Sequence, residues 1–220
     1  MRLIRIWFKK TDSAKYISHL DLQRCLTRAF RRTDIPLWYT EGFNPHPYLL
    51  FGFPLPLGVE GLRETLDIKL TDDSYDNERV LAELNRVTVP GIEFLEVCEP
   101  VLKPMDIVSA TYSITIPSLD NPEVFSQKIK EEIEKNEIII QKKTKKGGFK
   151  EIIVCENIRN FHCTYDKDSV TMKMVLPAGN DFTINPVLFC NELFNKLECP
   201  LILHRIVRCM LLDKKGTEFK

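Results

Sequence analysis

Two histidines and a carboxylate are the side chains of this sequence whose types could carry chemistry. His19 and Asp21 fall at the start of a predicted helix, where outward-pointing backbone amides favour anions. His46 lies in the loop Asn-Pro-His-Pro at residues 44–47, whose two prolines restrict the backbone. Because histidine titrates near neutral pH, His19 and His46 are candidates for acid and base on a phosphodiester or a nucleobase.

Two other interpretations of the same residues stay open. Two histidines and one carboxylate form a plausible set of metal ligands, although the sequence fixes no distance between them. Alternatively, the segment is a recognition surface or a structural lock, in which Asp21 caps its helix and His46 holds its loop by side-chain hydrogen bonds. The catalytic candidates are therefore His19, Asp21 and His46, and we predict neither a metal nor a cofactor.

Arginines share one face of the helix that begins at His19. Their spacing is i, i+4, i+7 and i+8, opposite much of the apolar stripe Leu22, Leu26, Ala29 and Phe30. Like charges at this spacing repel by roughly a few tenths of a kcal/mol per pair. A polyanion would relieve that repulsion, since guanidinium groups bind phosphate bidentately. The alternative is a solvated face neutralised by acids elsewhere. The substrate-binding candidates are Arg24, Arg28, Arg31, Arg32, Tyr39, Glu41, Asn44, Lys145 and Lys146.

Charge is unevenly distributed although the formal net charge is zero. Residues 1–33 carry nine basic residues and two acids, whereas residues 60–99 carry four basic residues and eleven acids. A second basic cluster surrounds the Gly-Gly turn at residues 147–148 and includes Lys145 and Lys146. Such a hairpin tip could lie against a phosphate backbone, or it could be a solubilising loop.

Composition narrows the class of protein. The chain has 220 residues, of which 44% are hydrophobic and 28% charged, values close to the globular average. No apolar run reaches the roughly 18 residues of a membrane span, and the N-terminus lacks signal-peptide features. The seven cysteines form no CxxC pair and no CxxxCxxC triplet of the kind that holds a radical-generating iron–sulfur cluster. We therefore expect free thiols in a reducing compartment, and a cytoplasmic protein.

Hydrophobic periodicity predicts the same order of elements in both halves of the chain. In the first half, a strand over residues 2–9, a helix over 19–33, short strands near 37–39 and over 64–70, a helix over 77–87 and a strand over 92–98 give the order β-α-β-β-α-β. The second half runs similarly, with residues 157–168 poorly patterned. This order is typical of the split βαβ arrangement. We predict an α+β protein of two tandem ferredoxin-like units with antiparallel sheets, over residues 1–103 and 104–220.

Several motifs in order resemble one known family. They are Tyr16-Ile17-Ser18-His19-Leu20-Asp21-Leu22 with Arg24, then Glu41-Gly42-Phe43-Asn44-Pro45-His46-Pro47, then Pro54-Leu55-Pro56-Leu57-Gly58 and Glu64. In the second half, residues 150–154 and 205–210 are similar to its central and closing strands. This pattern resembles the radical SAM-linked protein family, a bacterial domain of unknown function. The resemblance implies an association with a radical SAM enzyme, with RNA modification as a candidate process, and it supplies no reaction.

We predict an accessory RNA-binding protein that works with a radical SAM enzyme in tRNA or rRNA modification or processing. The arginine face, the lysine hairpin and a sheet exposing Arg5 and Trp7 favour it, since aromatic groups on such a sheet can stack bases. Alternatively, Trp7 is buried between the two halves. A second hypothesis is an RNA-processing or RNA-modifying enzyme using His19 and His46, and a third is a protein-interaction module for the radical SAM enzyme. The sequence favours a binding protein over an enzyme.

Overall fold

The computed structural model describes residues 1–117, 119–143 and 147–220. Its first unit comprises residues 1–107 with 210–220, and its second comprises residues 108–209. The boundary predicted from the sequence lies nearby, between residues 103 and 104, but it places residues 210–220 in the second half. Contacts made by that C-terminal segment, described below, group it with the first unit.

The first unit is an antiparallel sheet with two helices. Its elements are β1 (Arg2–Lys10), α1 (His19–Phe30), β2 (Leu49–Phe51), β3 (Val59–Leu70), α2 (Asn77–Val87) and β4 (Ile92–Cys98). The strands lie in the order β4-β1-β3, and β2 pairs with β3. Residues 37–39, predicted as a short strand, form only isolated bridges, to Leu70 and Pro47.

The core of the first unit follows from the sequence periodicities. Alternate residues of β1 and β3 point to one face, where they meet the apolar stripes of α1 and α2. The predicted stripe of α1 is confirmed, because all four of its members are buried. The buried residues of this core include Ile4, Ile6, Phe8, Leu22, Leu26, Phe30, Leu66, Ile68, Leu70, Val80 and Leu84.

The opposite face of β1 carries a buried charge. Arg5 is 0% exposed, and its guanidinium donates to both carboxylate oxygens of Asp67, at 2.7 and 2.8 Å. It also lies over the ring of Phe219, 4.4 Å from the centroid. Phe219 is itself fully buried, so the C-terminal segment covers this part of the sheet. The prediction that Arg5 is exposed is therefore wrong.

Trp7 is buried on the same face. It is 2% exposed, and the guanidinium of Arg63 lies 4.1 Å from its ring centroid. The indole N–H donates to Cys98 Sγ at 3.3 Å. The expectation that Trp7 offers an exposed surface for base stacking is therefore wrong, because the ring face is already occupied by a cation.

The second unit combines a larger sheet, a separate hairpin and two helices. Its elements are β5 (Ser109–Ile116), α3 (Pro122–Glu134), β6 (Ile139–Lys143), β7 (Phe149–Ile153), β8 (Arg159–Tyr165), β9 (Val170–Pro177), α4 (Pro186–Lys196) and β10 (Arg205–Leu212). The sheet order is β10-β5-β9-β8, and β6 pairs only with β7 in a sheet of two strands. β10 runs on at residue 210 into the first unit.

β8 lies in the segment that showed no clear pattern in the sequence. It is the last strand in the sheet order, and its register with β9 shifts between Arg159 and His162. Asn160, at the shift, has a φ of +51°. An edge strand is half solvated and a bulge breaks its alternation, so the period of two is lost.

Over the residues that the structure describes, the architecture is a mixed α+β fold with four α-helices and a mostly antiparallel sheet, which confirms the predicted class at that level. Within the described ranges, no helix has the length and apolar content needed to cross a membrane.

Candidate functional site

α1 begins at a side-chain cap, as the sequence predicted. Ser18 Oγ accepts a hydrogen bond from the backbone N–H of Asp21 at 3.2 Å and donates one to its carboxylate at 2.7 Å. Arg24 also donates to that carboxylate, at 3.2 Å. The hydrogen bond from Ser18, followed by that from Arg24, lowers the pKa of Asp21. Asp21 therefore holds the start of the helix, which is the structural role considered for it.

His19, the first residue of α1, lines a narrow crevice in the first unit. Its ring meets Phe51 edge-on, with centroids 4.9 Å apart and planes at 74°. Burial lowers the pKa of His19, and the positive charge of Lys10 lowers it further. The neutral imidazole is therefore the dominant form at neutral pH.

Two buried charged residues line the same crevice and were not predicted as site residues. Lys10 is 1% exposed and donates to the carbonyl oxygen of Ile17 at 2.7 Å. Glu64 is 3% exposed, and Gly61 makes room for it, since a Cβ there would lie 2.4 Å from Glu64 Oε1. The signal was present in the sequence, because both residues continue the inward-facing alternation of their strands.

The crevice is too small for a nucleotide. Two of the motifs meet beside it, as the backbone N–H of Gly58 donates to the carbonyl oxygen of Lys15 at 2.9 Å. Its free space is about 10 Å³, room for about one water molecule. His46 is not among its lining residues. The geometry therefore favours a buried polar network over a substrate pocket shared by His19 and His46.

His46 closes an exposed loop on itself. Its Nδ1 lies 3.0 Å from Thr40 Oγ1 and 3.0 Å from the carbonyl oxygen of Asn44. The backbone N–H of His46 donates to Thr40 Oγ1 at 3.2 Å, and the backbone N–H of Thr40 donates to the carbonyl oxygen of His46 at 2.8 Å. We call residues 40–46 the clasped loop. This geometry is the side-chain lock considered for His46.

The hydrogen bond between Thr40 and His46 predicts that substitutions of these two residues have non-additive effects on stability. Thr40→Val and His46→Ala should each lower the free energy of unfolding by about 0.5–1.5 kcal/mol, because each removes the same side-chain hydrogen bond. The double variant should cost less than the sum of the two, since neither partner contributes alone. Urea unfolding of the four proteins measures this coupling. Strictly additive losses would show that the two side chains do not interact in solution.

The remaining loop candidates are exposed around the clasp. Tyr39 pairs with Pro47 at the base of the loop and is 38% exposed. Glu41 and Asn44 are exposed on the loop itself. At its base, Lys69 Nζ lies 4.8 Å from the ring centroid of Trp38. Tyr39, Glu41 and Asn44 are accessible to a ligand, whereas Lys10 and Glu64 in the crevice are buried.

The four arginines predicted to share a face are all exposed. Arg24 pairs with Asp21 on its own helix, and Arg32 donates to the carbonyl oxygen of Val87. The side chains of Arg28 and Arg31 make no hydrogen bond or ion pair with any part of the chain that the structure describes. We call the set Arg24, Arg28, Arg31 and Arg32 the arginine face.

Other basic residues of the N-terminal segment are neutralised by the acidic segment 60–99. Arg5 pairs with Asp67, Lys9 with Glu93 at 2.6 Å, and Lys15 with Glu60 at 3.4 Å. The charge asymmetry in the sequence is therefore partly an internal pairing of the first unit. These pairs do not involve the arginine face, which keeps its positive charge toward solvent.

Two predicted residues cannot be placed. Lys145 and Lys146 lie outside the described residues, as does the side chain of their neighbour Lys143. Of the flanking lysines, Lys142 lies 5.8 Å from the ring centroid of Phe182, and Lys150 is exposed.

The metal-site interpretation receives no support from the geometry. Over residues 1–117, 119–143 and 147–220, no three His, Cys, Asp or Glu side chains come together as a metal ion would require. His19 and Asp21 do not form one site, because His19 lines the crevice whereas Asp21 is hydrogen-bonded to Ser18 in the helix cap.

The sequence is similar to a family of bacterial proteins. A family model described as an uncharacterized protein conserved in bacteria (DUF2344) matches residues 3–186. No curated protein matches the chain. The crystal structure of an unknown protein from Galdieria sulphuraria matches at 8% identity, covering 93% of this chain and 95% of that one, with a TM-score of 0.25. That score is too low to support an inference.

Proposed function

The chain belongs to this family of uncharacterized proteins conserved in bacteria, and from that premise we propose that it is an RNA-binding accessory protein of a radical SAM enzyme. It binds tRNA or rRNA in the cytoplasm and presents it for modification or processing. The radical SAM partner is proposed from the motif resemblance, whereas the RNA is proposed from the charge and exposure of α1.

The observation that carries the proposal is the arginine face. Arg28 and Arg31 are exposed and lack an acidic partner within the described residues. The helix dipole accounts for part of their placement, since cations near a helix C-terminus gain about 0.3–1 kcal/mol. It does not account for four exposed arginines within residues 24–32, whose mutual repulsion a phosphate backbone would relieve.

RNA is favoured over an acidic protein as the ligand because guanidinium groups match phosphate geometry. A helix face can follow a phosphate backbone without reading its sequence, and such contacts position a nucleic acid. The lysine hairpin would add a second cationic contact. The acidic segment 60–99 offers less to a basic protein partner, since Glu60, Asp67 and Glu93 are paired internally.

We further propose that both units are ferredoxin-like. In the first unit the strands follow the order β4-β1-β3-β2, and in the second β10-β5-β9-β8. Each order reads fourth, first, third and second strand, with a helix after the first and the third, apart from the hairpin inserted in the second unit. This is the order expected of the split βαβ arrangement, which supports the proposal.

The direct test is binding of the full chain to a labelled tRNA transcript across a salt titration. We expect saturable binding at about 50 mM salt that weakens steeply as salt rises, because each phosphate contact releases counterions. Absence of binding at about 50 mM salt would overturn the RNA proposal.

The proposed partner is tested by capture of the tagged chain from bacterial cells. We expect a radical SAM enzyme to be enriched, and the enrichment to fall after nuclease treatment. Enrichment that survives nuclease, from a chain that does not bind RNA, would replace the proposal with a protein-interaction module. Capture without any radical SAM enzyme would remove the partner from the proposal.

A further inference from the structure

Phe43, at the tip of the clasped loop, is the most exposed large hydrophobic side chain that the structure describes. Its relative exposure is 112%, so it extends from the loop without packing against it. Single exposed apolar residues are common on protein surfaces. Phe43 differs because its loop is held rather than left free.

The loop below Phe43 is fixed from both sides. The clasp between Thr40 and His46 closes its ends with backbone and side-chain hydrogen bonds. Gly42, immediately before Phe43, has a φ of +129°, which side chains other than glycine rarely adopt. An aromatic ring held out on a closed loop has already lost backbone freedom, so its docking costs little further entropy.

The charges around the ring favour a base over a phosphate. Glu41 is exposed in the same loop, and its carboxylate disfavours a phosphate at this tip. Asn44, the residue after Phe43, is exposed, and its side-chain amide offers both a donor and an acceptor to the edge of a base. The cations that would hold phosphates lie on α1 and directly after it, so the loop would bind the base and the arginine face the phosphates.

We propose that Phe43 is a stacking platform for an unpaired nucleobase, and that the ligand of this protein is therefore single-stranded RNA, such as a loop or an end. The inference rests on the proposed function, because it names the class of RNA that the arginine face would hold. The buried Trp7 cannot serve this purpose. Stacking on exposed aromatic rings is the usual way in which proteins hold unpaired bases.

The test compares two labelled oligoribonucleotides of about nine nucleotides, one with bases and one fully abasic, by fluorescence anisotropy. Phe43→Ala should weaken binding of the base-bearing oligomer by about 5- to 150-fold and leave the abasic oligomer unchanged. Phe43→Trp should restore affinity, whereas Phe43→Leu should not, because leucine has no π face. Tyr165→Ala, at a ring 50% exposed in the second unit and outside the lysine hairpin, is the matched control.

The outcomes separate this inference from the proposed function. Wild-type protein that binds neither oligomer nor tRNA would overturn both. Binding that depends on Arg28 and Arg31 but not on Phe43 would overturn only the stacking platform. Full rescue by Phe43→Leu would also overturn it, since an apolar side chain without a π face would then be sufficient for binding. Quenching of a 2-aminopurine base by wild type, and not by Phe43→Ala, would support it.

Discussion

Asp67→Ala should lower the free energy of unfolding by about 3–5 kcal/mol, because it leaves the guanidinium of Arg5 buried without its counter-ion. Both side chains are sealed, Arg5 at 0% and Asp67 at 3% exposure, and they meet through two hydrogen bonds. Asp67 is the only carboxylate that Arg5 contacts in the described part of the chain. Urea unfolding followed by circular dichroism measures the loss.

Glu93→Ala is the matched control for this substitution. Glu93 on β4 pairs at 2.6 Å with Lys9, which lies on β1 like Arg5, but these side chains are 57% and 35% exposed. An exposed pair contributes about 0–1 kcal/mol, so the control should lose little stability. The double change Arg5→Met with Asp67→Leu should recover much of the loss, since no buried charge remains. Equal losses from Asp67→Ala and Glu93→Ala would show that Arg5 is hydrated in solution and would reopen its role as an RNA contact.

Arg28→Gln with Arg31→Gln should weaken tRNA binding by about 5- to 30-fold at low salt, if each exposed contact contributes up to about 1 kcal/mol. The slope of log affinity against log salt should become shallower by about 1.4–1.8, because two phosphate contacts are lost. Glutamine removes the charge and has a helix propensity close to that of arginine, so folding should be unaffected. Anisotropy titrations at several salt concentrations give both quantities.

Lys128→Gln with Lys167→Gln provides the charge-matched control, since both lysines are exposed in the second unit. This variant changes the net charge equally but should leave the affinity and the slope nearly unchanged. A second comparison, Arg28→Lys with Arg31→Lys, keeps the charge and removes the bidentate fork. If all three variants bind alike, RNA is held by a surface other than the arginine face.

Much of the first unit could be predicted from local patterns. The bounds of α2 and β4 match the predicted ranges 77–87 and 92–98, and the cap of α1 was read from Ser18 and Asp21. These features depend on residues near each other in the chain: a capping side chain lies three residues from the amide it accepts from, and an apolar stripe repeats within two turns. Such interactions form in nearly the same way in any surrounding fold.

The site could be predicted only in part. Exposure of the four arginines was predicted correctly, because a charged face opposite an apolar stripe must point to solvent. The separation of His46 from the crevice of His19 was not predictable, since His46 is 27 residues downstream and its position depends on how its loop returns to the sheet. Lys10 and Glu64 were missed because buried charged residues are rare, and their alternation with apolar neighbours was the sole indication.

By itself, the sequence determined the helices, most strands, the apolar faces that join them and the excess positive charge of α1. Only the tertiary structure decided that Arg5 and Trp7 are buried and that Phe43 is exposed. It also decided that Lys9 and Lys15 form ion pairs with acidic residues of the segment 60–99. The physical reason is the range of the interactions. Periodicity and capping act within a few residues, whereas the burial of a sheet face and the pairing of its charges depend on segments such as residues 210–220, which are distant in the chain.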